Sequence, residues 1–404
     1  MVSNRSMRGL APETTLLYAK QWSGRAGISE VTDITDLDVL EVPVFVSVRP
    51  EARGEAFTFG KGLRSVDAEV GAYMEALEFF FAEPGVGRVS TRWGSARAVA
   101  GSGSANDDGI LDFPPLLQRQ VDLDGPLLLA SAHDIESGNE CLIPAELVHY
   151  PPPEVGQSLF GSSTNGLASG NSVLEATIQA LLELIERDIW SFEFVRASSV
   201  LVDPASLPDE IRAIIERAER NGLELKIRTV ANEYGLPFFA VFLFDPNNPT
   251  RKTFNGGWAC DLDRTRALVR AVTEAAQSRV AFIHGGRRIP SSPLAKSSPD
   301  APDGEMKLLQ RHIQGVSDAR QTTSMSDIPN AAIEGPLQML LDLVIAQLRR
   351  VVHAPIYRVV LTPEESPFQV VRVVVPLMEN LKPSRVRLGR RLKAGIDALA
   401  IRAA

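Results

Sequence analysis

The sequence has few of the residues from which metal clusters, disulfide frameworks and thiol-based catalytic sites are built. Its 404 residues include two cysteines, Cys141 and Cys260, and five histidines. Neither cysteine lies in a CxxC motif or a Cys/His cluster, which argues against a structural zinc site and against a disulfide scaffold. The histidines are scattered, without the spacing of a catalytic triad or a metal site. We therefore interpret both cysteines as small buried hydrophobic residues.

Long hydrophobic runs and an excess of basic residues are also missing. The most apolar segments, 238–244 and 370–376, have the length of a strand and are too short to span a bilayer. Residues 1–15 lack the apolar core of a signal peptide. The net charge is −8, so no general positive field attracts a nucleic-acid backbone. We expect a soluble cytoplasmic protein with neither a membrane nor a nucleic acid as its partner.

The composition is that of a globular protein, and helix and strand signals follow one another along the chain. Hydrophobic residues make up 44% and charged residues 23% of the sequence, unlike the composition of disordered proteins. The expected fold class is α/β, or α+β with mixed sheets. The predicted helices are 10–24, 65–82, 172–195, 209–220, 263–283 and 335–351, and the predicted strands are 42–48, 223–230, 237–244, 355–361 and 369–375.

Carboxylates form a stripe along the predicted helix 172–195. At about 100° per residue, its residues Glu175, Gln179, Glu183 and Glu186 fall within an arc of roughly 80°. Leucine and isoleucine occupy most of the remaining circumference, as they do in a buried helix. The stripe is therefore expected to face an interior cleft, where a carboxylate needs a partner because an unpaired buried anion is costly. The alternative is a narrow solvated face on a surface helix.

Two further helices carry polar residues in a similar arrangement. Glu75 and Glu78 are three residues apart on one predicted helix, and Arg270, Glu274 and Gln277 share a face of another. One Glu-xx-Glu pair is common on exposed helices. Three apolar helices that each offer oxygen ligands instead favour a hard cation such as Mg²⁺, which typically bridges protein carboxylates and substrate phosphates.

Basic residues close to these helices are candidates for phosphate contacts. The chain has no GxxxxGK[ST] element and therefore lacks the phosphate-binding loop of P-loop proteins. The candidates are Lys61, Arg187, Arg279 and Arg287. The last of these belongs to a Pro/Ser/Gly-rich segment, 285–304, which is predicted to be a mobile loop or lid beside the site.

Four segments resemble, in the same order, the signature blocks of the YcaO family. They are 60–78, 163–188, 266–279 and 370–379, and they cover most of the chain from about residue 55. The resemblance implies a YcaO-like fold whose ATP site lacks a Walker loop and is lined by glutamates from three helices. It also implies an enzyme that uses ATP and Mg²⁺ to phosphorylate peptide backbone amides.

The resemblance also implies a role for individual residues, block by block. Magnesium would be ligated by Glu75, Glu78, Glu183 and Glu186. Together with the phosphate candidates named above, the nucleotide site would further include Asn171, Glu175, Arg187, Glu274 and Gln277. One position departs from the family pattern, because the family often has serine four residues before the first glutamate and this chain has Gly71. That departure leaves open a nucleotide-binding scaffold without turnover.

The reaction type is predicted from the two ends of the sequence. Azoline-forming members of the family resemble one another in a proline-rich C-terminal tail, whereas residues 392–404 contain no proline. The run 6–22 and the compact length resemble the branch that makes thioamides with a TfuA partner. The expected function is thioamide formation in a peptide or protein substrate, assisted by a TfuA-like partner. The alternative is an azoline-forming cyclodehydratase of a ribosomal peptide.

The expected organisation has two parts and no internal repeat of solenoid period. An N-terminal segment, 1–55, packs on the core of a YcaO-like catalytic domain, 56–404. We also expect the chain to form a homodimer.

Overall fold

The structure, a computed structural model, contains three β-sheets with helices packed against and between them. It describes residues 7–100, 109–113, 121–161, 163–248, 253–286, 314–331, 334–381 and 389–403. The helices are α1 (Pro12–Trp22), α2 (Ser65–Ala82), α3 (Ala96–Ala100), α4 (Val173–Arg196), α5 (Asp209–Arg220), α6 (Arg264–His284), α7 (Leu337–Arg349) and α8 (Arg390–Ala403). The strands are β1 (Glu30–Asp33), β2 (Val44–Val48), β3 (Phe57–Lys61), β4 (Thr91–Ser95), β5 (Pro126–Asp134), β6 (Glu140–Pro144), β7 (Leu167–Gly170), β8 (Val200–Val202), β9 (Glu224–Thr229), β10 (Phe238–Phe244), β11 (Asn255–Cys260), β12 (Thr322–Thr323), β13 (Tyr357–Val360) and β14 (Gln369–Val374).

The three sheets are almost entirely antiparallel. The first has the order β1-β2-β3, the second β11-β10-β9-β8-β12, and the third β4-β5-β13-β14-β7 with β6 added to β5. Among the described strands, β8 and β12 pair in parallel, and the other pairs are antiparallel. The predicted class, a mixed α and β protein with several sheets, is confirmed.

The predicted helices and strands agree with the structure to within one or two residues at each end. Helix capping explains two of the differences. The predicted helices include Ser172 and Asp263, but each is an N-cap whose side chain accepts a hydrogen bond from the backbone amide three residues later. A cap residue is polar and precedes the apolar pattern, so sequence periodicity alone does not separate it from the first turn.

Strand β10, the second strand of the five-stranded sheet, shows where the core lies. All seven of its residues are buried, and alternate side chains enter different hydrophobic clusters. Phe238, Ala240 and Phe242 pack with apolar residues of α4, whereas Phe239 and Val241 pack with those of α5 and α6. The five-stranded sheet therefore has helices on both of its faces, and both α4 and α6 contact its edge strand β11.

Each of the three helices that bear candidate glutamates lies very close to a strand at a glycine. A Cβ atom on Gly60 of β3 would overlap the backbone of α2, and one on Gly257 of β11 would overlap the backbone of α6. At Gly170 of β7, a Cβ atom would lie 2.6 Å from the amide nitrogen of Ala176 in α4. These close approaches hold α2, α6 and α4 each against a strand of a different sheet.

No helix in the described part of the chain is both long enough and apolar enough to cross a bilayer.

Candidate functional site

Carboxylates from α2 and α4 converge at Glu78. The side chain of Glu78 accepts hydrogen bonds from the amide and hydroxyl of Ser169, at 2.8 and 2.6 Å. Burial, together with the nearby charges of Glu75 and Glu183, raises the pKa of Glu78 to about 8 against the lowering effect of the Ser169 bonds. Three carboxylates from two helices, those of Glu75, Glu78 and Glu183, therefore form one acidic cluster.

A second part of the same cluster joins α4 to α6. Glu186 is 2% exposed, and burial raises its pKa to about 8. Arg187 and Arg270 lower that pKa, while the carboxylates of Glu274 and Glu183 raise it. Since Glu183 also acts on Glu78, the two parts are continuous. The burial of Glu186 contradicts the solvated-face alternative for this helix.

Two basic side chains lie among these carboxylates. Arg187 places its Nε 3.5 Å from Glu186 Oε1 and its Nη2 3.9 Å from Glu183 Oε1. Burial lowers the pKa of its guanidinium, but the surrounding carboxylates together raise it, so the net shift is upward. Lys61 places its Nζ 3.1 Å from Glu274 Oε2. Both cations are therefore placed to contact a polyanion that binds between the helices.

The start of α4 forms the other end of the site. Asn171 donates from Nδ2 to both carboxylate oxygens of Glu175, at 3.1 and 3.2 Å. Glu175 is 5% exposed and also accepts a hydrogen bond from the amide of Gly9 at 3.0 Å. The hydroxyl of Thr15 in α1 donates to Asn171 Oδ1 at 2.8 Å. The N-terminal part of the chain therefore contributes directly to this end of the site.

Three arginines, Arg8, Arg266 and Arg270, lie near this end of the site. Sequence reasoning indicates Arg270 but neither of the other two. Burial lowers the pKa of Arg8, the carboxylates of Asp67 and Glu175 raise it, and the cations of Arg266 and Arg270 lower it again. Arg270 lies four residues and Arg266 eight residues before Glu274, a spacing that places all three on one side of α6 and is visible in the sequence. For Arg8 no signal exists in the sequence, because its neighbours here lie far away along the chain.

Asp261 organises the two α6 arginines, and it too was missed. Its side chain is fully buried, and Oδ2 lies 3.3 Å from Arg266 Nη2 and 3.3 Å from Arg270 Nη1. Asp261 directly follows strand β11 and precedes the N-cap of α6. An isolated aspartate at a strand end resembles any turn residue, so its role became visible only once the fold was known.

Gln277 of α6 connects the site to strand β3. Its Nε2 donates to the carbonyl oxygen of Phe59 at 3.1 Å, and the amide of Phe59 donates to Glu75 Oε2 at 2.8 Å. The Oε1 atom of Gln277 is buried and has no hydrogen-bond donor among the described residues. Such an acceptor is normally satisfied in a native protein.

Two residues that were predicted to contact phosphate, Arg279 and Arg287, are not part of the acidic cluster that the structure describes. Arg279 donates from Nε to Asp38 Oδ1 at 2.8 Å, on a face of α6 about 200° around the helix from Gln277. It therefore lies apart from the glutamates in this structure. Arg287 and most of the predicted lid, 285–304, lie outside the described residues.

The donor set fits Mg²⁺ together with a polyphosphate. All of the candidate ligands are oxygen atoms, as a hard cation requires. Within the described residues, no three acidic, histidine or cysteine side chains are close enough to hold a metal ion by themselves. Mg²⁺ characteristically uses one or two carboxylates and completes its octahedron with water and substrate phosphates. The raised pKa values of Glu78 and Glu186, which show carboxylates short of positive charge, and the Gln277 oxygen without a donor among the described residues are consistent with such a shared site.

Comparison with known proteins shows the family of the chain. A family model described as YcaO cyclodehydratase, ATP- and Mg²⁺-binding, matches residues 59–379. An uncharacterized protein of Methanothermobacter thermautotrophicus is 31% identical over 397 residues, which cover 96% of this chain and 99% of the relative. A protein encoded in the tfuA 3′ region of Rhizobium leguminosarum bv. trifolii is 31% identical over 71% of this chain and 70% of its own length.

A solved structure shares the fold. It is the YcaO protein of Methanopyrus kandleri bound with AMPPCP and Mg²⁺, which superposes with a TM-score of 0.73 at 22% identity and covers 96% of this chain and 97% of that one. The family match spans all three glutamate-bearing helices. The chain therefore belongs to the YcaO family of ATP- and Mg²⁺-dependent enzymes that modify peptide backbones.

Proposed function

We propose that the protein activates a peptide backbone amide by phosphorylating its oxygen with ATP, and that the product is a thioamide formed with a TfuA-like partner. The observation that carries the ATP-dependent step is the single acidic cluster built by α2, α4 and α6 around Glu78 and Glu186. The thioamide product is supported by the relative encoded in a tfuA 3′ region.

The proposed ligands divide into two groups. Mg²⁺, which neutralises charge on the triphosphate, would be held by Glu75, Glu78, Glu183 and Glu186. The nucleotide would be held by these residues together with Lys61, Asn171, Glu175, Arg187, Glu274 and Gln277. Arg279 and Arg287 remain proposed phosphate contacts, although in this structure Arg279 pairs with Asp38.

The chemistry requires positioning and charge stabilisation more than covalent catalysis by the protein. The amide oxygen bonds to the γ-phosphorus of ATP as the bond to ADP breaks. A sulfur nucleophile bonds to the carbonyl carbon, before or after that step, and the C–O bond then breaks to release phosphate. Arg187, held between two carboxylates, is suited to the charge that develops on the transferred group.

The sulfur is proposed to come from another molecule. Cys260 is fully buried. Burial raises the pKa of the Cys141 thiol to about 11, with a further contribution from the charge of Asp134, so at neutral pH this thiol stays protonated. The thiolate is the nucleophilic form, and neither cysteine is suited to carry sulfur to the site.

An azoline-forming cyclodehydratase is the second candidate function. It is favoured by the family description, which names a cyclodehydratase. In that reaction a Cys, Ser or Thr side chain of the substrate replaces the external sulfur nucleophile. The scaffold alternative rested on Gly71, and the structure gives a packing reason for this glycine. A Cβ there would lie 3.1 Å from the Cα of Gly60, so glycine suits the close approach of β3 to α2.

The remaining proposals concern context. We propose a cytoplasmic homodimer that acts on a peptide or protein substrate. We also keep the division into an N-terminal segment, 1–55, and a catalytic domain, 56–404. Strand β2 lies on one side of this boundary and pairs with β3 on the other, so the segment and the domain share a sheet.

Product mass and phosphate release test the function together. The protein is incubated with Mg-ATP, candidate peptides and a sulfide source, with and without a TfuA-like protein. Thioamide formation exchanges oxygen for sulfur and raises the peptide mass, whereas cyclodehydration removes water and lowers it. Phosphate release without a mass change in any peptide would count against both reactions, and no ATP binding at all would count against the site.

A further inference from the structure

Strand β3 lies between two of the glutamate-bearing helices and is bonded to both. It is an edge strand, since among the described strands it pairs with β2 alone. In an antiparallel pair, every second residue directs its N–H and C=O away from the partner strand. At Phe59 these groups are satisfied by side chains: the N–H donates to Glu75 Oε2 at 2.8 Å and the C=O accepts from Gln277 Nε2 at 3.1 Å. One residue thus connects α2 to α6.

The bond to Phe59 also determines which way the Gln277 amide points. A backbone carbonyl oxygen can only accept, so it must receive the NH₂ group of the glutamine. The Oε1 atom is then directed away from the strand, whatever the placement of the two amide atoms in the coordinates. Gln277 is 5% exposed, and its Oε1 is buried without a donor among the described residues. A cation or a cation-bound water would satisfy it.

Gly60 is what allows β3 to approach so closely. A Cβ atom at this position would overlap the carbonyl oxygen of Ala68 and the amide nitrogen of Ala72 in α2. The next residue, Lys61, places its Nζ 3.1 Å from Glu274 Oε2 on α6. Three consecutive residues of β3 therefore contact α2, α6 or both, and a larger residue at position 60 would force the strand away from α2.

We propose that the backbone of Phe59 is a crossbar that fixes the spacing of Glu75 and Gln277 and presents the Gln277 Oε1 atom to the bound Mg²⁺ or to one of its waters. Gly60 is then a positioning residue, because it acts through the strand and touches no substrate. This inference rests on the proposed function, since the cation is the magnesium ion of that site.

The first test is the affinity for Mg²⁺ in the presence of a non-hydrolysable ATP analogue, measured by titration calorimetry. Gln277→Met keeps the length of the side chain and removes both its donor and its acceptor. Losing a group that orients or directly supports a metal site typically costs 10–100-fold in metal affinity, and we expect at least about 10-fold here. Gln338→Met on α7, where the exposed Gln338 donates to Asp342, is the matched control and should leave the affinity unchanged.

Two outcomes separate this inference from the proposed function. If the wild-type protein does not bind Mg²⁺ with the analogue, the proposed function fails. If the wild-type protein binds and Gln277→Met binds within about twofold of it, the crossbar fails and the proposed function stands.

A double-mutant cycle tests the role of Gly60. Gly60→Ala should lower the affinity for Mg²⁺, as Gln277→Met does. The double variant should have about the same affinity as the more strongly affected single variant, because both changes break the same connection. Gly24→Ala is the control, since a Cβ at Gly24 would meet nothing within 4 Å. Additive losses would overturn the crossbar. Should Gly60→Ala fail to fold, the Gln277→Met titration decides alone.

Discussion

Replacing Glu186 by glutamine should stabilise the nucleotide-free protein while weakening Mg-ATP binding. Burial raises the pKa of Glu186 from 4.5 to about 8. A carboxyl group with a raised pKa is harder to ionise in the folded protein than in the unfolded chain. Its contribution to stability is therefore intact below pH 4.5 and is progressively lost as the pH rises toward 8. Glutamine has the same shape and never ionises.

The magnitude follows from the same shift. Each pKa unit corresponds to about 1.4 kcal/mol, so the stability advantage of Glu186→Gln should grow by about 2–3 kcal/mol between pH 5 and pH 7. Urea denaturation at the two pH values gives the free energies of unfolding. Glu219→Gln, on the exposed face of α5, is the control and should show no such growth. A pH-independent difference for Glu186→Gln would refute the claim that this carboxyl group is buried among like charges.

Two further predictions concern α4. Glu183→Gln should keep the fold and weaken Mg-ATP binding by at least about 10-fold in calorimetry, because a charged ligand is replaced by a neutral one of similar volume; unchanged affinity would remove Glu183 from the site. Arg391→Ala should lower the free energy of unfolding by about 3 kcal/mol, because Asp188 is 1% exposed and loses a two-point ion pair of 2.7 and 3.2 Å. In that variant a thermal melt should show the loss, whereas Arg390→Ala, in a half-exposed pair with Asp112, should melt nearly as the wild-type protein does.

The local parts of the fold were predictable because they depend on local patterns. Helix α4 follows from its apolar circumference and polar stripe, and α5 from its amphipathic repeat, so both were placed almost at their final bounds. The carboxylate stripe also indicates that its glutamates face inward, and Glu175 and Glu186 are indeed buried while Glu183 is half-buried. A charged side chain on a buried helix needs a partner, so a polar stripe on an otherwise apolar helix indicates a site from the sequence alone.

The rest of the site depends on how distant segments pack. Arg8 contributes only because the N-terminal segment crosses the start of α4, where Gly9 bonds to Glu175. Asp261 gains its partners from the first turns of the helix that follows it. The bonds of Phe59 use backbone atoms, which carry no sequence signal at all. Arg279 shows that a local pattern can also mislead. Its position two residues after Gln277 suggests a phosphate contact, but its side chain pairs with Asp38.

The central claim is that the protein transfers the γ-phosphate of ATP to the oxygen of a peptide amide. It is tested most directly with a peptide that the protein modifies, labelled with ¹⁸O at its amide carbonyls. The protein, Mg-ATP and any required partner are added, and the released phosphate is analysed by mass spectrometry. The account predicts that each modified amide yields one phosphate carrying ¹⁸O. Phosphate whose new oxygen comes only from water, formed while the peptide is modified, would contradict it.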